Sequence, residues 1–422
     1  MTASRVTATY RIETAYPLQD AAESMAGEQS TGTFVRLPGE TDELRERCGA
    51  RIERLTELDT VAAPSLPGAG LPKGAGPNPV YRRAEVVLSW SLENFGTSLP
   101  NLVATVAGNL YELRAFSGMR LIDIGLPAEF ANAYGGPKFG IAGTRRLTGV
   151  EGRPVIGTIV KPSVGMGPEA TAALVDTLAE AGIDFIKDDE LQADGPHCPF
   201  EARVRAVMAV VNRHADRTGK KVMFAFNITG DLDEMRRRHD LVLGLGGTCV
   251  MASLNSVGLV GMIELGRFTQ LPIHAHRNGW GYLSREPSLG WSYVAWQKLW
   301  RLAGADHMHV NGLQNKFCEP DDSVIASAKA CLTPMFADKP CIAMPVFSSG
   351  QSAKQPPATY AALGSADLIF AAGGGIMAHP DGPAAGLMSL RQSWEAAMEG
   401  VPLADYASSR PALARALETY GG

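Results

Sequence analysis

The stretch AGIDFIKDDE, residues 181–190, decides how this chain is read. A short β-branched and apolar run, Ile183 to Ile186, ends abruptly in Lys187, Asp188, Asp189 and Glu190. A run of this length between turn signals predicts a buried strand. Three acids and a lysine at its end are costly to hold beside a core unless something neutralises them. A divalent ion would do so, and carboxylate oxygens suit Mg²⁺, a hard cation that keeps positions open for water or substrate. Taken alone, the same cluster reads as a solvated helix start. The choice depends on what the rest of the chain builds around it.

From Pro154 onward, short β runs alternate with helical patterns. The predicted strands are 155–160, 183–187, 221–226, 248–253, 272–276, 306–310, 341–347 and 367–372, each followed by an amphipathic stretch such as PEATAALVDTLAEA or EARVRAVMAVVNRHA. Eight such units, with strands apolar on both faces, predict a (β/α)8 TIM-type barrel over 146–422. Residues 1–145 differ. VTATYRIET, STGTFVRL and AEVVLSWSL alternate as half-buried strands, and DELRERCGARIERL (42–55) carries a helical pattern between them. This predicts an α+β domain with an antiparallel sheet. A Pro/Gly-rich loop covers 63–79, and 139–154 reads as the connection into the barrel.

Bulk properties narrow the function. The chain has 422 residues, 45% hydrophobic and 20% charged, with a net charge of −5 and no long like-charge run. Nothing in this pattern suggests a nucleic-acid or membrane-surface partner. RRRH (236–239) reads as a solvated helix face. The amino terminus lacks the apolar core of a signal peptide, and no apolar run reaches membrane-spanning length. The six cysteines show no CxxC pairing and read as reduced thiols of a cytoplasmic protein.

Active sites of such barrels lie at the C-terminal strand ends. Here those ends carry Lys161; Lys187, Asp189 and Glu190; Asn227; His276 and Arg277; His307 and His309; Ser348, Ser349 and Gly350; and Gly373, Gly374 and Gly375. Asp189 and Glu190 are candidate Mg²⁺ ligands, and the ion would polarise a carbonyl and hold an enolate. Lys161 is a candidate general base, because burial beside a metal and other cations would favour its free amine. The glycines would let backbone N–H groups approach a phosphate, helped by a following helix N-terminus. Arg277 and His309 could hold a second anion. Each feature has a plainer reading: a glycine turn, packed histidines in H-x-H, serines as caps. In each H-x-H pair, the member nearer the strand exit, His276 or His309, is the favoured functional residue.

These motifs together resemble the RuBisCO large subunit along almost the whole chain. AGIDFIKDDE resembles its metal-site motif, GTIVKP its first barrel strand, HAHRN its fifth, and GADHMHVNGLQNKF its sixth strand and mobile loop. The resemblance implies a CO₂-derived carbamate on Lys187, which with Asp189 and Glu190 would bind Mg²⁺. It implies Lys161 as the enolising base, and catalytic or substrate roles for Lys187, His276, Lys316, Asn109 and Glu28. It implies phosphate or substrate contacts at Thr33, Arg277, His309, Ser348, Gly350, Gly373 and Gly374. It further implies a homodimer whose amino domain lends Glu28, Thr33 and Asn109 to the partner's barrel.

Departures from the family pattern set the subclass. Ser163 replaces the second lysine after strand one, Phe34 stands where carboxylating enzymes have tryptophan, and the loop VNGLQNKF differs. The chain is therefore identified as a RuBisCO-like protein of form IV. The retained cations Lys316, Arg277 and His309 suit a phosphorylated substrate that also carries a carboxylate. The favoured activity is a decarboxylase or transcarboxylase/hydrolase on a keto sugar acid of the 3-oxo-isoapionate 4-phosphate type. The alternatives are a methionine-salvage isomerase or enolase on a methylthio-pentose phosphate, ribulose bisphosphate carboxylation, and a non-catalytic stress or regulatory role.

Overall fold

The computed structural model describes residues 4–32 and 37–420. In chain order its strands are β1 (Arg5–Thr14), β2 (Arg51–Val61), β3 (Tyr81–Ser91), β4 (Phe116–Gly125), β5 (Val155–Ile159), β6 (Phe185–Lys187), β7 (Met223–Asn227), β8 (Cys249–Ser253), β9 (Ile273–His276), β10 (Leu289–Trp291), β11 (His307–His309), β12 (Met344–Phe347) and β13 (Ile369–Ala371). They fall into two compact units: residues up to Tyr134 with Gly279–Leu299, and Gly135–Asn278 with the remainder from Trp300.

The first unit is a five-stranded sheet in the order β10-β4-β1-β3-β2. β1 pairs antiparallel with both β3 and β4, Tyr10 lying opposite Val86 and Leu121. Period-two alternation puts Val6, Ala8, Tyr10 and Ile12 in the core. The helical reading of 42–55 holds only for Asp42–Cys48, which is capped by Thr41 Oγ1 accepting from Leu44 N–H. From Arg51 the chain is an edge strand instead. Register shifts at Ile52/Arg54 and Glu57/Asp59 break its alternation, so its few apolar residues fall at helix-like spacing. Charged side chains on such an edge guard it against pairing with other chains. The 63–79 segment forms turns and irregular structure, as its prolines and glycines require.

The second unit is a closed barrel of eight parallel strands, β5 through β9 followed by β11, β12 and β13. The stretch expected as a plain connector before β5 contains a helix, Gly140–Thr148, ended by Gly149 at φ 65°. The fifth strand-to-helix passage is longer than periodicity suggested. Before the helix Tyr293–Leu302, the chain contributes β10 to the first unit's sheet, parallel to β4. The cluster RRRH is not a wholly solvated face: Arg238 and His239 are buried on the same stripe as Met235 and Val242. Among the described residues, no helix is long and apolar enough to cross a membrane.

One pleat parity fills the barrel. Val155, Phe185, Met223, Ala225, Cys249, Met251, Met344, Val346, Ile369 and Ala371 form its core. Residues two further along the same faces emerge at the C-terminal mouth. At the opposite end, Asp184 is fully buried at the entry of β6. It accepts from Arg153 Nη1 at 2.6 Å, Lys220 Nζ at 2.6 Å and Ile156 N–H at 3.0 Å. Burial acts to raise its pKa, but the Arg153 and Lys220 contacts outweigh it and hold the carboxyl below its ordinary value. A depressed carboxyl pKa adds stability that is present above the unfolded value and lost as pH falls through the folded one. Asp184→Asn is expected to cost about 3 kcal/mol at pH 7, since Arg153 and Lys220 can turn to solvent. Urea unfolding should show the deficit vanish in acid.

Candidate active site

The pleat that carries the core delivers the polar set to one mouth. Lys187 lies on the face of Phe185, opposite Ile159 on β5 and Ala225 on β7. Its side chain is buried, and Nζ donates to the Asp188 carbonyl at 2.8 Å and approaches Met251 Sδ at 3.6 Å. Burial lowers its pKa against the upward pull of Glu190, Asp189 and Asp188. Asp189, also buried, accepts from Lys161 Nζ at 2.6 Å and Leu191 N–H at 3.1 Å. Burial pushes this carboxyl up, but those two donors bring it below its ordinary value. Glu190 is half-buried, with Oε2 3.5 Å from His276 Nε2.

The expectation that Lys161 is buried is not met. Its side chain is 46% exposed, and Nζ spans Asp189 and Ser163 Oγ, the latter at 2.7 Å. An ammonium thus sits on the carboxylate that a metal would need. Asn227, at the β7 exit, fixes the acidic turn: Nδ2 donates to the carbonyls of Asp189 at 3.2 Å and Glu190 at 3.3 Å. Its backbone N–H donates to Asp188 Oδ2 at 2.9 Å.

Across the barrel, His276 and His309 pack with ring centroids 4.9 Å apart. His276 Nδ1 accepts from Asn278 N–H at 3.2 Å, which leaves Nε2 as the proton-bearing nitrogen of the neutral ring, facing Glu190. Burial, helped by Lys187, holds His276 neutral, and burial with His276 does the same for His309. His309 Nε2 meets Ser348 Oγ at 2.9 Å. The other members of the two H-x-H pairs lie deeper: His274 stacks on Phe185 at 5.3 Å, and His307 Nε2 meets Thr144 Oγ1 at 2.8 Å.

Arg277 donates from Nη2 to Glu319 of loop six. Glu319 also accepts from Asn311 Nδ2 at 2.7 Å and Ser323 Oγ at 2.9 Å, so the carboxylate is fixed from three sides. Sequence reasoning missed Glu319 because it lies ten residues past a strand end, where periodicity carries no signal. Glu319→Gln is expected to lower kcat/KM about tenfold, through KM, because Arg277 loses the charged partner that sets its orientation. Steady-state kinetics check this. The Lys316 side chain is exposed, with Nζ 5.3 Å from the Phe317 ring centroid, while its backbone N–H donates to Ser349 O at 3.3 Å. Gly350 lies at φ 84° beside it, where a Cβ would stand 3.6 Å from the Lys316 nitrogen.

Gly373, Gly374 and Gly375 divide by role. A Cβ on Gly375 would strike Gln351 O at 2.5 Å, so this glycine serves packing. A Cβ on Gly373 or Gly374 would meet nothing within 4 Å, and neither has a positive φ. The fold itself does not require glycine at these two positions, whereas close backbone approach by a ligand would. They open the short helix Gly374–Met377. In the first unit, Glu28 and Asn109 are exposed and meet, Asn109 Nδ2 donating to Glu28 Oε1 at 3.3 Å. Thr33 and Phe34 lie outside the described residues.

Comparison with known proteins identifies the family. Residues 2–130 match the model for the ribulose bisphosphate carboxylase large chain N-terminal domain, and 140–420 the model for its catalytic domain. The chain belongs to the RuBisCO large-chain family. It is 62% identical over 98% of both chains to a 3-oxo-isoapionate-4-phosphate transcarboxylase/hydrolase of Xanthobacter autotrophicus. It is 45% identical, again over 98% of both chains, to a 3-oxo-isoapionate-4-phosphate decarboxylase of Rhizobium rhizogenes. Among solved structures, a rubisco-like protein from Burkholderia fungorum is 50% identical and superposes with a TM-score of 0.92, over 98% of this chain and 99% of that one.

Proposed function

We propose that this protein cleaves a carbon–carbon bond in a phosphorylated 3-keto sugar acid of the 3-oxo-isoapionate 4-phosphate type, as a transcarboxylase/hydrolase. The observation that carries the reading is the 62% identity, end to end, with a relative of that name. The mouth suits such a substrate. Arg277 offers a fixed guanidinium for one anion, and Gly373 and Gly374 leave room for a phosphate three strands further round the barrel.

The donor set fits a hard divalent ion. Asp189 and Glu190 supply carboxylates, and Asp189 already holds a cation, the Lys161 ammonium. Among the described residues, no three His, Cys, Asp or Glu side chains form a ready ligand set, so a third anionic ligand would come from Lys187. Burial that disfavours its ammonium supplies the free amine that CO₂ converts to a carbamate. When bound there, Mg²⁺ supplies Lewis-acid polarisation of the keto oxygen and counter-charge for an enolate. Lys161, at the same mouth, delivers or removes the proton at carbon. His276 and His309, held neutral, hydrogen-bond substrate oxygens without adding charge. The active unit is a cytoplasmic homodimer, with Glu28 and Asn109 lent across the interface.

The test is incubation of purified enzyme with 3-oxo-isoapionate 4-phosphate, CO₂ and Mg²⁺. Two non-volatile products without CO₂ release are expected. Stoichiometric CO₂ release with a single organic product would instead make it a decarboxylase, the activity named for the 45% identical relative. Turnover of a methylthio-pentose phosphate with no action on the keto acid would overturn the proposal.

A further inference from the structure

Two buried arginines behind the mouth have no part in the chemistry above. Arg203, on the helix Phe200–Thr218, is fully buried. Its Nη1 donates to Cys198 O at 3.0 Å. Its Nη2 donates to Asp188 Oδ2 at 3.1 Å, Gln192 O at 3.2 Å and Ala193 O at 2.7 Å. Arg238, on the next helix, Leu232–Gly244, is 4% exposed. Its Nη1 donates to Thr229 O at 2.6 Å, and its Nη2 to Asp194 Oδ2 at 3.0 Å and Glu234 Oε1 at 3.1 Å. The two guanidinium carbons lie 5.4 and 5.7 Å from the centroid of one ring, Phe200. Asp194 Oδ1 accepts from Phe200 N–H at 2.8 Å, closing the group.

The contacts divide the loop after β6 by function. Its backbone carbonyls at 192, 193 and 198, and the side chains of Asp188 and Asp194, face the arginines. Asp189 and Glu190 make their side-chain contacts with Lys161, Leu191 N–H and His276 instead. The ties reach the adjoining exits as well: Asn227 N–H shares Asp188 Oδ2 with Arg203, and Thr229 Oγ1 accepts from Ser253 N–H of β8 at 3.0 Å. A guanidinium presents donors in a rigid fork, so each arginine fixes several acceptors at once.

We infer that Arg203 and Arg238, bracketing Phe200, are positioning residues that hold the 188–198 loop so that Asp189 and Glu190 face the mouth, and that they thereby set its affinity for a divalent ion. The inference rests on the metal seat proposed above. Groups behind metal ligands typically change affinity about 10- to 100-fold when removed.

The test uses the full-length chain with Arg238→Gln, Arg238→Lys and Arg203→Lys. Arg203→Lys risks the fold. Arg238→Gln, at a site less deeply enclosed, keeps the test decisive if Arg203→Lys is lost. Amide hydrogen exchange across 188–198 and Mn²⁺ binding followed by electron paramagnetic resonance in bicarbonate are the readouts. Arg238→Gln is expected to speed exchange in the loop about tenfold and weaken Mn²⁺ about 10- to 100-fold, with circular dichroism unchanged and partial recovery in Arg238→Lys. Unchanged exchange and unchanged Mn²⁺ affinity in a folded Arg238→Gln protein would overturn the inference. Wild-type Mn²⁺ binding that is indifferent to Glu190→Gln would sink the metal seat, and with it the affinity role. The exchange readout would then still decide whether the bracket holds the loop.

Discussion

Replacing Lys187 by methionine is expected to abolish turnover while making the protein more stable. The two effects have one cause. Lys187 Nζ is buried and makes no ion pair among the described residues; its contacts are the Asp188 carbonyl and the Met251 sulfur. An ammonium so placed is costly, and an apolar side chain of similar length removes the cost. We expect a gain of about 1–2 kcal/mol at pH 7, read from urea unfolding. Under the proposed function activity should fall by about 1,000-fold or more, because the variant could form no carbamate and the seat would lack its third anionic ligand.

The pH dependence separates this account from a packing effect. The folded pKa of Lys187 lies below the ordinary lysine value of 10.5. Between the two, the unfolded chain binds the proton and the folded one does not, so wild-type stability rises with pH through that window. The methionine variant has no such group. Its advantage should therefore shrink as pH rises towards 10.5 and disappear above it. A stability gain that stayed constant with pH would mean that better packing, not the buried amine, was its source.

The barrel and its mouth were legible in the sequence for one reason: period two. A short strand with one face in a closed barrel delivers every second residue to the interior, so Val155 leads to Lys161 and Phe185 to Asp189 without further information. The same rule explains why His274 and His307 are core and His276 and His309 rim. Legibility ended where the period did. Two register shifts disguised β2 as a helix. The passage from Gly279 to Leu299 contributes β10 to another sheet through a pairing with β4 that no local pattern announces. Arg238 and His239 looked like solvated charge because composition was read ahead of the stripe Met235, Arg238, His239, Val242 on which they lie. Glu319 and the exposure of Lys316 depend on loop conformation, which sequence spacing does not constrain.

Lys161→Met is expected to lower kcat by about 1,000-fold while tightening divalent-ion binding. The opposite signs follow from the 2.6 Å contact between Lys161 Nζ and Asp189 Oδ2. Without a bound ion, Asp189 has this ammonium as its counter-charge, so a divalent ion must compete with Lys161 for the same oxygen. Removing the lysine removes the competitor, and Mn²⁺ titration should show a several-fold lower Kd. Under the proposed function the substitution also removes the group that would exchange a proton with the substrate carbon, an effect of about 100- to 10,000-fold in comparable cases. Ser163, 2.7 Å from the same nitrogen, lacks the basicity to take over that role. Solvent deuterium incorporation at the product carbon should therefore fall in step with kcat. If Lys161→Met lost activity and Mn²⁺ binding together, Lys161 would be a structural support of the acidic turn, and the proton would have to come from another residue at the mouth.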